Sequence, residues 1–215
     1  MYFATNFETK THLLLASRSN ISRKREREHP SHVLFTMGAF VAKMKELFGG
    51  SKKLEMCLVG LENSGKTTLL NVLSVGHPVE TYPTVGLNVK MVKKQGVNLK
   101  VWDLGGQERF RSEWGRYTQG CDCILFCVDA HDYGRVELAR KELHKLLEDS
   151  SLHGLPLLVC LNKIDLEPHM TKEECIRDLN LSAITENPWL VIPISALRQI
   201  NVNEVVDWLV RHSHS

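Results

Sequence analysis

Residues Gly60 to Thr67 read GLENSGKT and fit the pattern G-x-x-x-x-G-K-[ST]. They lie between an apolar run, LEMCLVG at 54–60, and a helical period at 66–75. A strand that feeds a glycine-rich turn and then a helix aims backbone N–H groups and the positive helix end at one point, which suits phosphate. Gly60 and Gly65 let the loop curl, Lys66 is placed to reach β- and γ-phosphates, and the Thr67 hydroxyl is placed to hold Mg²⁺. Glu62, Asn63, Ser64 and Thr68 complete the expected nucleotide-binding loop. A chance glycine-rich turn is the competing explanation, and the rest of the chain has to decide between them.

Downstream the pattern repeats. Candidate strands are 54–60, 86–94, 97–103, 123–130, 156–162 and 189–195, with candidate helices at 66–75, about 134–149, 171–179 and 202–212. Gln95-Gly96 separates the second and third strands at the length of a tight hairpin turn. Leu138, Leu143, Leu146 and Leu147 fall near helical spacing and mark one core face. Strands alternating with helices predict an α/β fold. The expectation is a P-loop domain over 54–212, with a six-stranded, mostly parallel sheet, one antiparallel hairpin strand and helices on both faces.

NKID, Asn162 to Asp165, closes the fifth apolar run and therefore sits at a strand C-terminus, where ligands collect in open α/β sheets. The Asp165 carboxylate can accept from guanine N1–H and from its exocyclic amine. Adenine offers neither donor, so the carboxylate would stay unpaired, which is costly in a buried site. Asn162 is expected to bond the base edge and tie loops together, and the Lys163 stem to lie along the ring. After the last strand, Ser195 is placed to brace Asp165, the Ala196 N–H to meet guanine O6, and Leu197 to complete the edge. Phosphate loop and NKID together, both at strand ends, point to GTP and GDP.

Two further pieces lie between them: PTVG at 83–86 and WDLGGQERFR at 102–111. With these, the chain from about Met37 onward resembles the Arf and Arf-like family of small GTPases. That resemblance implies a second Mg²⁺ hydroxyl from Thr84, a water-mediated metal contact from Asp103, a γ-phosphate-sensing N–H at Gly106, and Gln107 orienting the attacking water. No arginine is placed to stabilise the transition state in cis; Arg109 and Arg111 are read as partner surface. Slow hydrolysis, accelerated by an activating protein, follows. Exchange factor and effectors would engage the switch segments, and a monomer is expected. The stretches at 109–117, 140–159, 179–184 and 205–215 are most similar to the lysosome-associated Arf-like subgroup. Glu108, where that subgroup tends to have Pro, and the acidic Glu62 depart from it.

The N-terminal 50 residues follow other rules. Residues 1–36 are polar, carry RKRERE at 23–28 and show no period, so disorder is expected, with a transit peptide or basic arm as alternatives. In MGAFVAKMKELFGG, residues 37–50, Met37, Phe40, Val41, Met44, Leu47 and Phe48 fall within an arc of about 120°. Such an amphipathic helix over 37–49 packs on a domain or lies on a peripheral membrane surface. The family resemblance implies both, in turn: packed with GDP, released to an endomembrane (lysosomal or late endosomal) with GTP. It also favours Met37 as a start, and Ala42 stands where a myristoylation signal asks for Ser or Thr.

Composition removes other classes. No run approaches the ~18 apolar residues of a membrane span. A net charge of +2 argues against nucleic acid as the main partner. The six cysteines lack a CxxC pair and are expected as buried thiols. A GTP-locked membrane scaffold is the alternative function, opposed by an intact Lys66, Thr84 and Gln107. A P-loop kinase would lack NKID.

Overall fold

The apolar run ahead of the glycine-rich loop is strand β1 (Lys52–Val59) in a computed structural model that describes residues 51–214. The chain continues through α1 (Lys66–Val75), the hairpin β2 (Leu87–Lys94) and β3 (Val97–Leu104), and two short helices, α2 (Glu108–Arg111) and α3 (Trp114–Thr118). Next come β4 (Cys123–Asp129), α4 (Val136–Leu147), β5 (Leu157–Asn162), α5 (Lys172–Asp178), β6 (Trp189–Ile194) and α6 (Val202–Arg211). The expected strands and helices are all present, shifted by a residue or two at their ends. The segments 1–36 and 37–49, and the expectations placed on them, lie outside the described residues.

Among the described residues, six strands form one sheet in the order β2-β3-β1-β4-β5-β6. Of these six strands, only β2 and β3 pair antiparallel. Lys94 faces Val97 across the hairpin, and the two residues between them, Gln95 and Gly96, have φ of 45° and 79°. Two successive positive φ values give a turn whose twist matches the strands it joins. The central strands β4 and β5 are buried almost end to end, as parallel strands covered on both faces require.

One core lies between the sheet and α1 with α6. There Leu69, Leu70 and Leu73 meet Val205, Val206 and Leu209 beneath β1 and β3. The second core lies on the other face, where Leu143, Leu146 and Leu147 of α4 and Cys175 of α5 pack with Trp114 against β4 and β5. Helix α5 starts in a capping box: Glu174 N donates to Thr171 Oγ1 at 3.2 Å, and Thr171 N donates to Glu174 Oε2 at 2.8 Å. All six cysteines are buried and free, as the lack of a CxxC pair suggested.

This topology sets the site. The phosphate loop leaves β1, and the chain turns one way toward β3 and the other way toward β4. Ligands bind at such a switch point, beyond the C-terminal strand ends.

Candidate functional site

The phosphate loop closes on backbone that tolerates no side chain. A Cβ on Gly60, at φ 136°, would lie 2.2 Å from the Cys127 carbonyl oxygen, and one on Gly65, at φ 89°, 2.1 Å from Asn162 Nδ2. Lys66 is buried, and its Nζ donates to Gly60 O and Leu61 O, both at 2.8 Å. Burial pushes the Lys66 pKa down, opposed by the negative charge of Asp103 and Glu62. Helix α1 starts here without a side-chain cap, so its first N–H groups stay available to a ligand. A cavity of about 350 Å³ opens over the loop, lined by Glu62, Asn63, Gly65, Lys66, Thr67 and Thr68 from below. Thr81 to Thr84, Gly106, Gln107 and Lys163 form its other walls.

Three oxygens converge at one end. Thr67 Oγ1 donates to Asp103 Oδ2 at 2.9 Å and lies 2.8 Å from Thr84 Oγ1, which in turn is 3.3 Å from Asp103 Oδ2. Asp103 is fully buried, and its second oxygen, Oδ1, has no partner. Burial pushes its pKa up, partly offset by the Thr67 hydrogen bond and the Lys66 charge. A buried carboxylate with an orphaned oxygen beside two hydroxyls is the hard, all-oxygen donor set that suits Mg²⁺. The residues fit the ion.

At the base end, Asn162 is buried; its Nδ2 donates to Ser64 O at 2.8 Å and its Oδ1 accepts from Ala196 N at 2.9 Å. It therefore ties the phosphate loop to the segment after β6, as expected. Two expectations change. The Ala196 N–H is taken by Asn162 and does not point free toward a ligand. Ser195 Oγ accepts from Arg198 N at 2.9 Å, closing its own turn, and leaves Asp165 Oδ1 buried without a partner. That orphan oxygen is what a base-reading carboxylate requires before its base arrives. Lys163, at φ 71°, turns back over the cavity with Nζ 2.6 Å from Asp129 Oδ2. Leu197 is exposed.

Next to Gly106, Gln107 is half-buried, and its Oε1 accepts from Arg109 Nε at 3.1 Å. Arg109 is exposed, in keeping with a partner surface, but Arg111 is not. Its Nε donates to Gly106 O at 2.9 Å, and its guanidinium meets Glu142 of α4. Helix α2 turns Arg111 back beneath the glycines, which a reading of charge as surface could not anticipate. Glu62 is half-exposed and is held by Arg135, whose Nη1 donates to Glu62 O at 3.2 Å and lies 3.9 Å from its carboxylate. Arg135, Asp129 and Glu142 were not singled out by sequence; their roles depend on contacts 31 to 73 residues away, with no local signature.

Residues 40–213 match the ADP-ribosylation factor family. The chain belongs to that family. It is 43% identical over 166 residues to ADP-ribosylation factor-like protein 8d of Arabidopsis thaliana, covering 77% of this chain and 94% of that protein. ADP-ribosylation factor-like protein 8b of the same plant is 42% identical over 165 residues, 76% of this chain and 90% of the relative. Among solved structures, the Arl6 (BBS3) small GTPase of Trypanosoma brucei, bound to the analogue GppNp, superposes with a TM-score of 0.69 at 30% identity. That match covers 74% of this chain and 96% of the other. As an Arf-like small GTPase, this chain binds guanine nucleotide and hydrolyses GTP.

Proposed function

We propose that the chain is a nucleotide-gated switch that reads the γ-phosphate through Thr84 and Gly106 and changes partners with it. The observation that supports this is the 2.8 Å approach of Thr84 to Thr67, which brings the segment before β2 onto the metal position. Lys66 and the loop N–H groups hold the phosphates, Asp165 and Asn162 read guanine, and Thr67 and Thr84 would hold Mg²⁺, with Asp103 reaching it through water. The ion, when bound, neutralises charge on the phosphates. Gln107 orients water for slow hydrolysis. Release of Thr84 and Gly106 after hydrolysis frees the switch segments.

The segment before β2 and the outer side of β2 expose large apolar side chains. Tyr82 is 79% exposed, Val85 72% and Met91 70%, with Val89 beside Met91 on the same side of β2. Exposed large apolar side chains of this kind suit a protein partner, here effectors, the exchange factor and the activating protein. Residues 37–49 supply the membrane contact in the GTP state, at a lysosomal or late endosomal surface, as a family-type amphipathic anchor. Flotation of the full chain with anionic liposomes tests this: GTP-analogue-loaded protein floats and GDP-loaded protein stays at the bottom. Equal flotation of both would overturn the gating.

A further inference from the structure

Two successive peptide units between Gly105 and Gln107 are pinned, two of the three donors coming from outside the nucleotide cavity. The Gly105 carbonyl accepts from the Trp114 indole Nε1 at 3.0 Å. In a trans peptide the N–H points opposite the C=O, so this bond sets the direction of the Gly106 N–H. The next carbonyl, Gly106 O, accepts from Glu62 N at 3.1 Å and from Arg111 Nε at 2.9 Å. The segment is also pressed onto the phosphate loop: a Cβ on Gly106 would lie 2.3 Å from Glu62 N and 2.4 Å from Leu61 C.

Both pins are rooted in the second core. Trp114 is 2% exposed and meets Phe126 of β4 edge-on, with ring centroids 6.4 Å apart at 82°. Arg111 Nη1 lies 3.5 Å from Glu142 Oε1, and the two side chains are only 9% and 16% exposed. Glu142 belongs to α4, whose Leu143 and Leu146 are core residues, so the carboxylate is held where the guanidinium needs it.

We infer that Trp114 and Arg111, the latter braced by Glu142, are positioning residues that hold the Gly105–Gly106–Gln107 backbone ready for a γ-phosphate and so select GTP over GDP without touching the nucleotide. The inference rests on the proposed reading of the cavity as a GTP/GDP switch. A donor already aimed at its acceptor loses no free energy to reorganisation when the acceptor arrives. GDP brings no acceptor to the Gly106 N–H, so loosening a pin leaves GDP binding where it was. Differential affinity alone shifts a two-state equilibrium, and these side chains supply part of it.

The test measures dissociation of fluorescent GDP and of a fluorescent non-hydrolysable GTP analogue from the full chain, comparing wild type with Trp114→Phe and Glu142→Gln. The first variant removes the indole donor; the second neutralises the brace from a helix outside the cavity, and serves if the first fails to fold. The analogue is expected to leave about five- to tenfold faster from either variant, the loss of one good hydrogen bond, while GDP stays within about twofold. Equal acceleration of both nucleotides, which a merely structural role produces, would overturn the inference, as would an unchanged analogue rate in Glu142→Gln. If wild type binds neither nucleotide, the switch reading itself falls, and this inference with it.

Discussion

The hydroxyl of Thr84 lies 2.8 Å from that of Thr67, joining the segment ahead of β2 to the first turn of α1. Both also face the buried Asp103 carboxylate, at 3.3 and 2.9 Å. In the proposed switch Thr84 reaches Mg²⁺ only once a γ-phosphate is present, so Thr84→Ala weakens GTP-analogue binding and spares GDP. The expected loss is roughly five- to tenfold, measured by equilibrium titration with each nucleotide in Mg²⁺ buffer. Equal losses for both would mean that Thr84 serves the loop in every state.

The proposed switch assigns base selection to Asp165, whose Oδ1 is buried without a partner. Asp165→Asn replaces an acceptor with a donor at the position facing the guanine amine. Guanine nucleotide affinity is expected to fall by at least about a hundredfold, because the base then buries unpaired donors. Xanthine, which carries a carbonyl in place of the amine, is expected to bind the variant better than guanine does. A variant that keeps guanine affinity would place base reading elsewhere.

How far the sequence showed this arrangement depends on how local each piece is. GLENSGKT and Gln95-Gly96 carry their geometry within a few residues, so the loop and the hairpin were legible. Helices α2 and α3 were not: residues 108–118 lack a helical period, and both helices are too short to stand alone. What anchors them is tertiary, the Trp114 indole on Gly105 O and Arg111 on Glu142. Charge alone places Arg111 on the surface, because charged side chains are rarely buried unless paired, and its pair lies on another helix. The bond of the Ala196 N–H is hidden from sequence for a related reason: its partner, Asn162 Oδ1, lies 34 residues back and comes into reach only once β5 and β6 align.

The thiols offer a test of the core. Burial pushes the Cys127 thiol up to about 11 and that of Cys175 up to about 12, and raises Cys123 and Cys160 well above the ordinary range. At pH 7.5 these four are expected to resist alkylation in the native protein and to react once it is denatured, as read by peptide mass spectrometry. Fast native labelling of Cys127, whose Sγ lies 3.1 Å from Ser64 O, would contradict the packing beneath the phosphate loop.

Acid stability carries a signature from the capping box. Hydrogen bonds to Thr171 hold the Glu174 pKa below its ordinary value of 4.5. A carboxylate whose folded pKa is depressed stabilises fully above its unfolded pKa, and that contribution is lost as pH falls through the lower folded value. The Tm gap between wild type and Glu174→Gln is therefore expected to be largest near neutral pH and to close on acidification below 4.5. A gap that widens with acid would reverse the sign and remove the box as its cause.

The most direct measurement of the switch is single-turnover hydrolysis of GTP preloaded on the purified chain, wild type against Gln107→Leu. The account predicts tight GTP retention by both, wild-type hydrolysis on the order of 10⁻³ s⁻¹ or slower, and a further drop of about tenfold or more in the variant. Turnover at ordinary enzyme rates without an activating protein, or equal rates in the two proteins, would contradict it.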